Sequence, residues 1–261
     1  MTLTVLLAHQ AVVIALLMVA GWLVTIPLKN VGLIDVLWAP GFAVLAGVSL
    51  YVGNGWAPRS ALLLVLTGLW ALRLGGYLGW RNIGKPEDRR YAEFRRYFAP
   101  GYWWKSLFQA FGLQGTLMLV VGAPITAAAL APSPAAWTLL DGAGVLVFAA
   151  GFFFEAVGDW QLVRFKADPA SAGQVLERGL WRYSRHPNYF GNFLIWWGIG
   201  LVGLSTGAAG AAALLGPAIM TGLLLKVSGV ALLEKDIGDR RPAYADYIAR
   251  TNAFFPGPPR G

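Results

Sequence analysis

Three arginines, one histidine and two asparagines crowd into Arg178–Asn192, which reads RGLWRYSRHPNYFGN. The guanidiniums of Arg178, Arg182 and Arg185 favour phosphate or carboxylate. Pro187 biases His186 away from helix and suits the first turn of the helix that follows. A helix N-terminus there offers free N–H groups to an anion. Basic residues flanking a membrane span need no more explanation than orientation in the bilayer. That leaves His186, Asn188, Tyr189 and Asn192 crowded at the same mouth, together with Tyr183, and their presence points to a ligand site.

Residues of the same kind occur on either side. Glu155 and Asp159, four apart on one helical face, precede Arg164 and Lys166 and lead into the stretch above. An acid pair beside a basic pair also forms ordinary surface ion networks. The tail EKDIGDRRPAYADYIARTNAFFP brings Glu234, Arg240, Arg241, Tyr244 and Tyr247. Its plainer reading is an interfacial amphipathic helix with a tyrosine anchor. Two further candidates lie in apolar surroundings. Asp35 stands early in a membrane-length stretch, where a carboxylate costs about 2.5–3.5 kcal/mol, and so is expected to face the bundle interior or the headgroups. Arg73, Tyr77 and Arg81 make one polar stripe. Arg73 needs a partner, with Asp35, Glu155 or a ligand phosphate as candidates, while Arg81 snorkels.

The elements that position these residues are membrane helices. Of 261 residues, 57% are hydrophobic and only 13% charged, which fits a polytopic membrane protein. Seven apolar stretches have spanning length: Leu3–Ile26, Val31–Gly53, Ser60–Trp80, Leu107–Leu130, Ala135–Trp160, Tyr189–Ser205 and Ala211–Leu233. Eighteen of the 21 basic residues fall in the loop between the third and fourth stretches, the loop between the fifth and sixth, and the tail, all on one side, which puts the N-terminus outside and the C-terminus in the cytoplasm. The net charge of +8 is therefore assigned to loops facing anionic lipid rather than to nucleic acid. With no cysteine and only two histidines, thiolate chemistry is excluded and a metal site is not expected. No repeat or linker divides the chain, so residues 1–261 read as one all-α domain. Pro124 and Pro217 are expected to kink their helices.

Cytoplasmic segments thus supply positive charge and hydrogen-bond donors above apolar helices. A ligand with a phosphorylated cytosolic part and a reactive end in the membrane fits, and a dinucleotide acting on a lipid is such a case. No strand followed by GxGxxG occurs, so a nucleotide site here is not a Rossmann site.

RYSRHPNYFGN, followed by E-K-D, Y-A-D-Y and F-F-P, resembles the C-terminal half of the steroid 5α-reductase superfamily. The chain is most similar to its bacterial membrane proteins. Sterol C14-reductases and isoprenylcysteine carboxyl methyltransferases share the RHPNY-like element. The resemblance runs from about Asp35 to Pro256. It implies a seven-helix bundle with NADPH in the cytoplasmic half, mainly within residues 155–261, and an apolar substrate cavity. By motif, Asn188 matches the nicotinamide-side asparagine, Asn192 stands where several members carry Glu, and Asp159 and Lys166 align with cofactor-contacting positions. Family proton donors are a Glu on the second helix and a Tyr on the third; here Asp35 and either Tyr77 or Trp70 are available.

The expected activity is hydride transfer from NADPH to a 3-oxo-Δ4 steroid or similar enone lipid, with Tyr77 or a protonated Asp35 as donor to the carbonyl oxygen. The expected cofactor contacts are Glu155, Asp159, Lys166, Arg178, Arg182, Tyr183, Arg185, His186, Asn188, Tyr189, Asn192, Glu234, Arg240, Arg241, Tyr244 and Tyr247. A monomer in a bacterial inner membrane, meeting membrane lipid and a small lipid substrate, completes the expectation. The alternatives are an S-adenosylmethionine-dependent lipid methyltransferase and a non-enzymatic lipid-binding protein.

Overall fold

The computed structural model describes residues 1–227, 230, 234 and 244–260. Among them the chain is all helix, with no strand. The main helices are α1 (Leu3–Leu28), α2 (Ile34–Val52), α3 (Ala57–Asn82), α4 (Arg89–Tyr97), α5 (Tyr102–Ser106), α6 (Leu113–Val121), α7 (Ala123–Leu130), α8 (Leu139–Ala167), α9 (Pro187–Leu204), α10 (Ala208–Ala213), α11 (Leu215–Gly222) and α12 (Tyr244–Arg250). Five segments are long and apolar enough to cross a membrane: Leu3–Leu28, Val31–Val52, Ala57–Asn82, Leu139–Ala167 and Ala208–Lys226. A sixth is the pair Tyr102–Val121 and Ala123–Leu130, bent by 47°. That bend falls where Pro124 was expected to kink the chain, because proline cannot donate into the preceding turn. Helix α9 is not among the six; its first turns carry Asn188, Tyr189 and Asn192. The protein is an integral membrane protein by length and composition of its helices.

The helices pack as two compact units, Met1–Asp141 with Val202–Gly216, and Gly142–Leu201 with Pro217–Gly261. In the first unit, α3 lies along α2. Gly75 permits the approach, since a methyl there would lie 2.9 Å from the Pro40 ring. Apolar packing gives little direction inside a bilayer, so polar clips set the register. Buried Gln10 on α1 donates to Ser49 on α2 at 2.8 Å and to Thr126 on α7 at 3.0 Å.

A second clip is ionic. Arg59 is fully buried and forks onto Asp141, Nε to Oδ1 at 2.8 Å and Nη2 to Oδ2 at 3.0 Å. Two more of its hydrogens go to the carbonyls of Pro134 and Ala136. Asp141 also accepts from the Thr138 backbone and hydroxyl and from Ser205. A buried pair this fully hydrogen-bonded is held firmly, since removing one partner strands the other charge.

Candidate functional site

In the second unit, α8 and α9 approach through facing glycines. A methyl on Gly151 would lie 2.6 Å from the Gly191 carbonyl oxygen, and one on Gly198 would lie 2.6 Å from the Phe148 nitrogen. This closeness lets short side chains meet. Asn192 Nδ2 donates to Glu155 Oε1 at 2.9 Å, and Asn188 Nδ2 donates to Asp159 Oδ1 at 2.9 Å. Residues four apart on each helix thus pair in antiparallel order, giving two rungs one turn apart. Glu155, Asp159 and Asn192 are buried. Because each carboxylate claims the amide N–H, each amide is oriented with its oxygen elsewhere. Those two oxygens, Asn188 Oδ1 and Asn192 Oδ1, are buried and have no partner among the described residues.

Beside the rungs, the RHPNY loop is clasped by the C-terminal tail. Arg185 forks onto Glu234 with two 2.8 Å bonds and donates to the Ile248 and Thr251 carbonyls. His186 Nε2 meets Glu234 Oε1 at 2.9 Å, and its ring stacks on Tyr189 with centroids 5.7 Å apart. Burial alone would raise the Glu234 carboxyl, but hydrogen bonds from Arg185 and His186 hold it down at about 2. The Tyr247 hydroxyl donates to the Trp181 carbonyl, and Tyr244 packs edge-on against Tyr247. Ser184 Oγ donates to the Phe254 carbonyl at 2.8 Å, and Gly257 N to Tyr183 O at 3.0 Å.

Outside this clasp, Arg164, Lys166, Arg178, Arg182 and Tyr183 are exposed. Arg178 also borders a cleft of about 420 Å³ whose walls include Phe165, Asp168, Leu176 and Glu177.

The first unit holds its own polar group. Asp35 Oδ1 accepts from the Tyr91 hydroxyl at 2.7 Å and Oδ2 from Arg90 Nη2 at 2.9 Å. Gln114 Nε2 lies 3.4 Å from the same hydroxyl. Burial and the Asp35 carboxylate push the Tyr91 phenol far above its usual range, so it keeps its proton. Tyr77 stands between two guanidiniums, Arg73 and Arg81, each 5.6 Å from its ring centroid.

A family model described as a protein of unknown function, DUF1295, matches residues 21–251. The chain belongs to the DUF1295 family. It is 29% identical to the uncharacterized protein C594.04c of Schizosaccharomyces pombe over 269 aligned residues, covering 90% of this chain and 75% of that one. No solved structure matches the DUF1295 chain significantly.

The structure brings together Glu155, Asp159, Asn188 and Asn192, and separately Arg185, His186, Tyr189, Glu234, Tyr244 and Tyr247. Arg240 and Arg241 lie outside the described residues. Two expectations change. Arg185 belongs to the tail clasp instead of collecting an anion with Arg178 and Arg182, because its donors are directed at Glu234 and backbone carbonyls. Asp35 is engaged at both oxygens, by Tyr91 and by Arg90, instead of standing open to a substrate carbonyl. Tyr91 and Arg90, which hold it, are residues that the sequence reading of the DUF1295 chain missed. Their segment reads simply as a charged loop, and 55 residues separate Arg90 from Asp35.

Proposed function

We propose that the protein is an NADPH-dependent membrane reductase acting on the double bond of an α,β-unsaturated ketone in an apolar substrate, such as a 3-oxo-Δ4 steroid or a lipid of that kind. The observation that carries this reading is the pair of buried asparagine oxygens at the α8–α9 rungs that have no partner among the described residues. A buried acceptor without a donor is costly, and a ligand carrying N–H groups relieves the cost. The carboxamide of a nicotinamide is such a group, so the pair of acceptors fits the cofactor. Arg164, Lys166, Arg178 and Arg182 are exposed cations suited to its phosphates. When bound, NADPH supplies the hydride.

The chain's own residues do the rest. Asn188 and Asn192 hold the carboxamide, and Glu155 and Asp159 fix the orientation of those amides. The Arg185–Glu234–His186 clasp holds the loop from which α9 starts. As hydride reaches the β-carbon, negative charge moves onto the ketone oxygen. A preorganised hydroxyl donor there lowers the barrier by several kcal/mol. On the second and third helices, where the resemblance puts the donor, Tyr77 is the hydroxyl to test, flanked by two guanidiniums. Tyr91 gives its one proton to Asp35 and holds that carboxylate. A proton from solvent then completes the α-carbon. In this reading seven spans are present, the N-terminus is outside and the basic loops face the cytoplasm, where NADPH is available.

Calorimetric titration of NADPH, NADH and S-adenosylmethionine into purified protein tests the cofactor assignment. NADPH is expected to bind, and Asn192→Leu to weaken it by about 0.5–1.5 kcal/mol, the range for a hydrogen bond between neutral groups. Binding of S-adenosylmethionine in place of NADPH would replace the reductase with a methyltransferase.

A further inference from the structure

We infer that the first unit carries a binding patch for the phosphate of anionic membrane phospholipids, built by Lys29, Lys85 and Arg96 around the α1–α2 turn. This inference is independent of the reductase reading. The three residues are far apart in sequence, and specific bonds gather them. Arg95 Nη2 donates to the Lys29 carbonyl at 3.1 Å, and Asn30 Nδ2 donates to the Lys85 carbonyl at 3.2 Å. Glu87 locks the arrangement by accepting two 2.8 Å bonds from Arg95 and one of 2.7 Å from Val31 N.

The charge balance of this end is decided by where the acids go. Glu87 pairs with Arg95, Asp88 and Asp35 with Arg90, and Glu93 with Arg89. Every acidic residue of the Arg81–Lys105 segment is thereby committed. Lys29, Lys85 and Arg96 are exposed, and no carboxylate among the described residues pairs with any of them. What remains is a net positive surface whose complement is an anion.

Neighbouring aromatics indicate which anion. Trp22, near the end of α1, stacks on Trp103 with centroids 6.4 Å apart and donates to its carbonyl at 2.7 Å. Trp103, Trp104 and Tyr97 are exposed, Tyr97 at 82%. Exposed tryptophan and tyrosine at the end of a membrane helix mark the headgroup level. Lys29 follows Trp22 by seven residues, about 10 Å along the helix axis at roughly 1.5 Å per residue. That distance carries the cations from the aromatic belt outward to the phosphates. Each Lys or Arg near an anionic leaflet adds to the attraction.

The test uses the full chain in nanodiscs of phosphatidylcholine containing increasing phosphatidylglycerol, with retained lipid read by native mass spectrometry after partial delipidation. Wild type is expected to retain phosphatidylglycerol over phosphatidylcholine several-fold. The triple variant Lys29→Gln, Lys85→Gln, Arg96→Gln is expected to lose that preference. A charge-preserving triple variant, Lys29→Arg, Lys85→Arg, Arg96→Lys, is expected to keep it, which separates charge from folding. Excess inorganic phosphate is expected to displace little of the lipid. The inference is overturned by an unchanged preference in the neutral variant, by its loss in the charge-preserving one, by no preference in wild type, or by ready displacement with inorganic phosphate.

Discussion

Asn192 on α9 donates to Glu155 on α8 at 2.9 Å, with both side chains buried. The pairing leaves the asparagine oxygen as a buried acceptor held in a fixed direction. In the proposed reading, a ligand N–H completes this acceptor, which has no partner among the described residues.

The first prediction concerns that rung. Asn192→Asp places two carboxylates against each other and is expected to lower stability by about 1–3 kcal/mol through the lost hydrogen bond and repulsion. Adding Glu155→Gln restores a donor facing a carboxylate and is expected to recover most of the loss. Thermal unfolding of the single and double variants measures the coupling. Additive losses would show that the two side chains do not interact.

A second prediction concerns Arg59 and Asp141. Asp141→Leu strands a buried guanidinium and is expected to cost about 3–5 kcal/mol. Arg59→Met with Asp141→Leu is expected to be much less harmful than Asp141→Leu alone. Denaturant unfolding in detergent distinguishes them, and equal losses would mean that the pair is not buried as described.

Much of this was legible in the sequence because it is local. Six of the seven apolar runs fall on membrane-length helices, counting the bent pair as one, while Tyr189–Ser205 falls on α9, which is not among them; Pro124 falls at the 47° bend. Glu155 with Asp159, and Asn188 with Asn192, share helix faces by their spacing of four, which is visible without a structure. The partners of distant charges were not legible. Nothing local couples Asp35 to Tyr91 or Arg185 to Glu234, because such pairs depend on which loops the packed helices bring together. Arg59 and Asp141 look like ordinary helix-end charges until burial is known. For the same reason Arg185, one of three neighbouring arginines, could not be told apart from its exposed neighbours Arg178 and Arg182.

The third prediction is a pH dependence of the tail clasp. Glu234 has its pKa lowered from 4.5 to about 2 in the folded state. Its stabilising contribution is therefore complete above the unfolded value, declines as pH falls from about 4.5 and is gone below about 2. Limited proteolysis of the segment after Arg250 at decreasing pH is expected to accelerate across that window. In Glu234→Gln, cleavage is expected to be faster already at neutral pH and to show less acid dependence. An unchanged acid profile would remove Glu234 from the clasp.

The fourth prediction separates chemistry from binding. Tyr77→Phe keeps the ring and its packing, so NADPH affinity is expected to stay nearly unchanged. Single-turnover enone reduction is expected to slow by about 10²–10³, the usual loss for one such donor. Tyr91→Phe is the matched comparison, expected to keep the rate because the Tyr91 proton serves Asp35. If only Tyr91→Phe slows the reaction, the donor is not Tyr77; full activity in both removes the tyrosines from the mechanism.

The most direct measurement is isotope transfer. Purified protein in nanodiscs is given NADPH carrying deuterium at its transferable hydride position, together with a 3-oxo-Δ4 steroid and other enone lipids. Mass spectrometry then follows the label. The expected result is a reduced product carrying one deuterium at the β-carbon, formed by wild type and formed more slowly by Asn192→Leu. Cofactor bound but no deuterium in any enone, or a methylated lipid formed from S-adenosylmethionine, would contradict the reductase assignment.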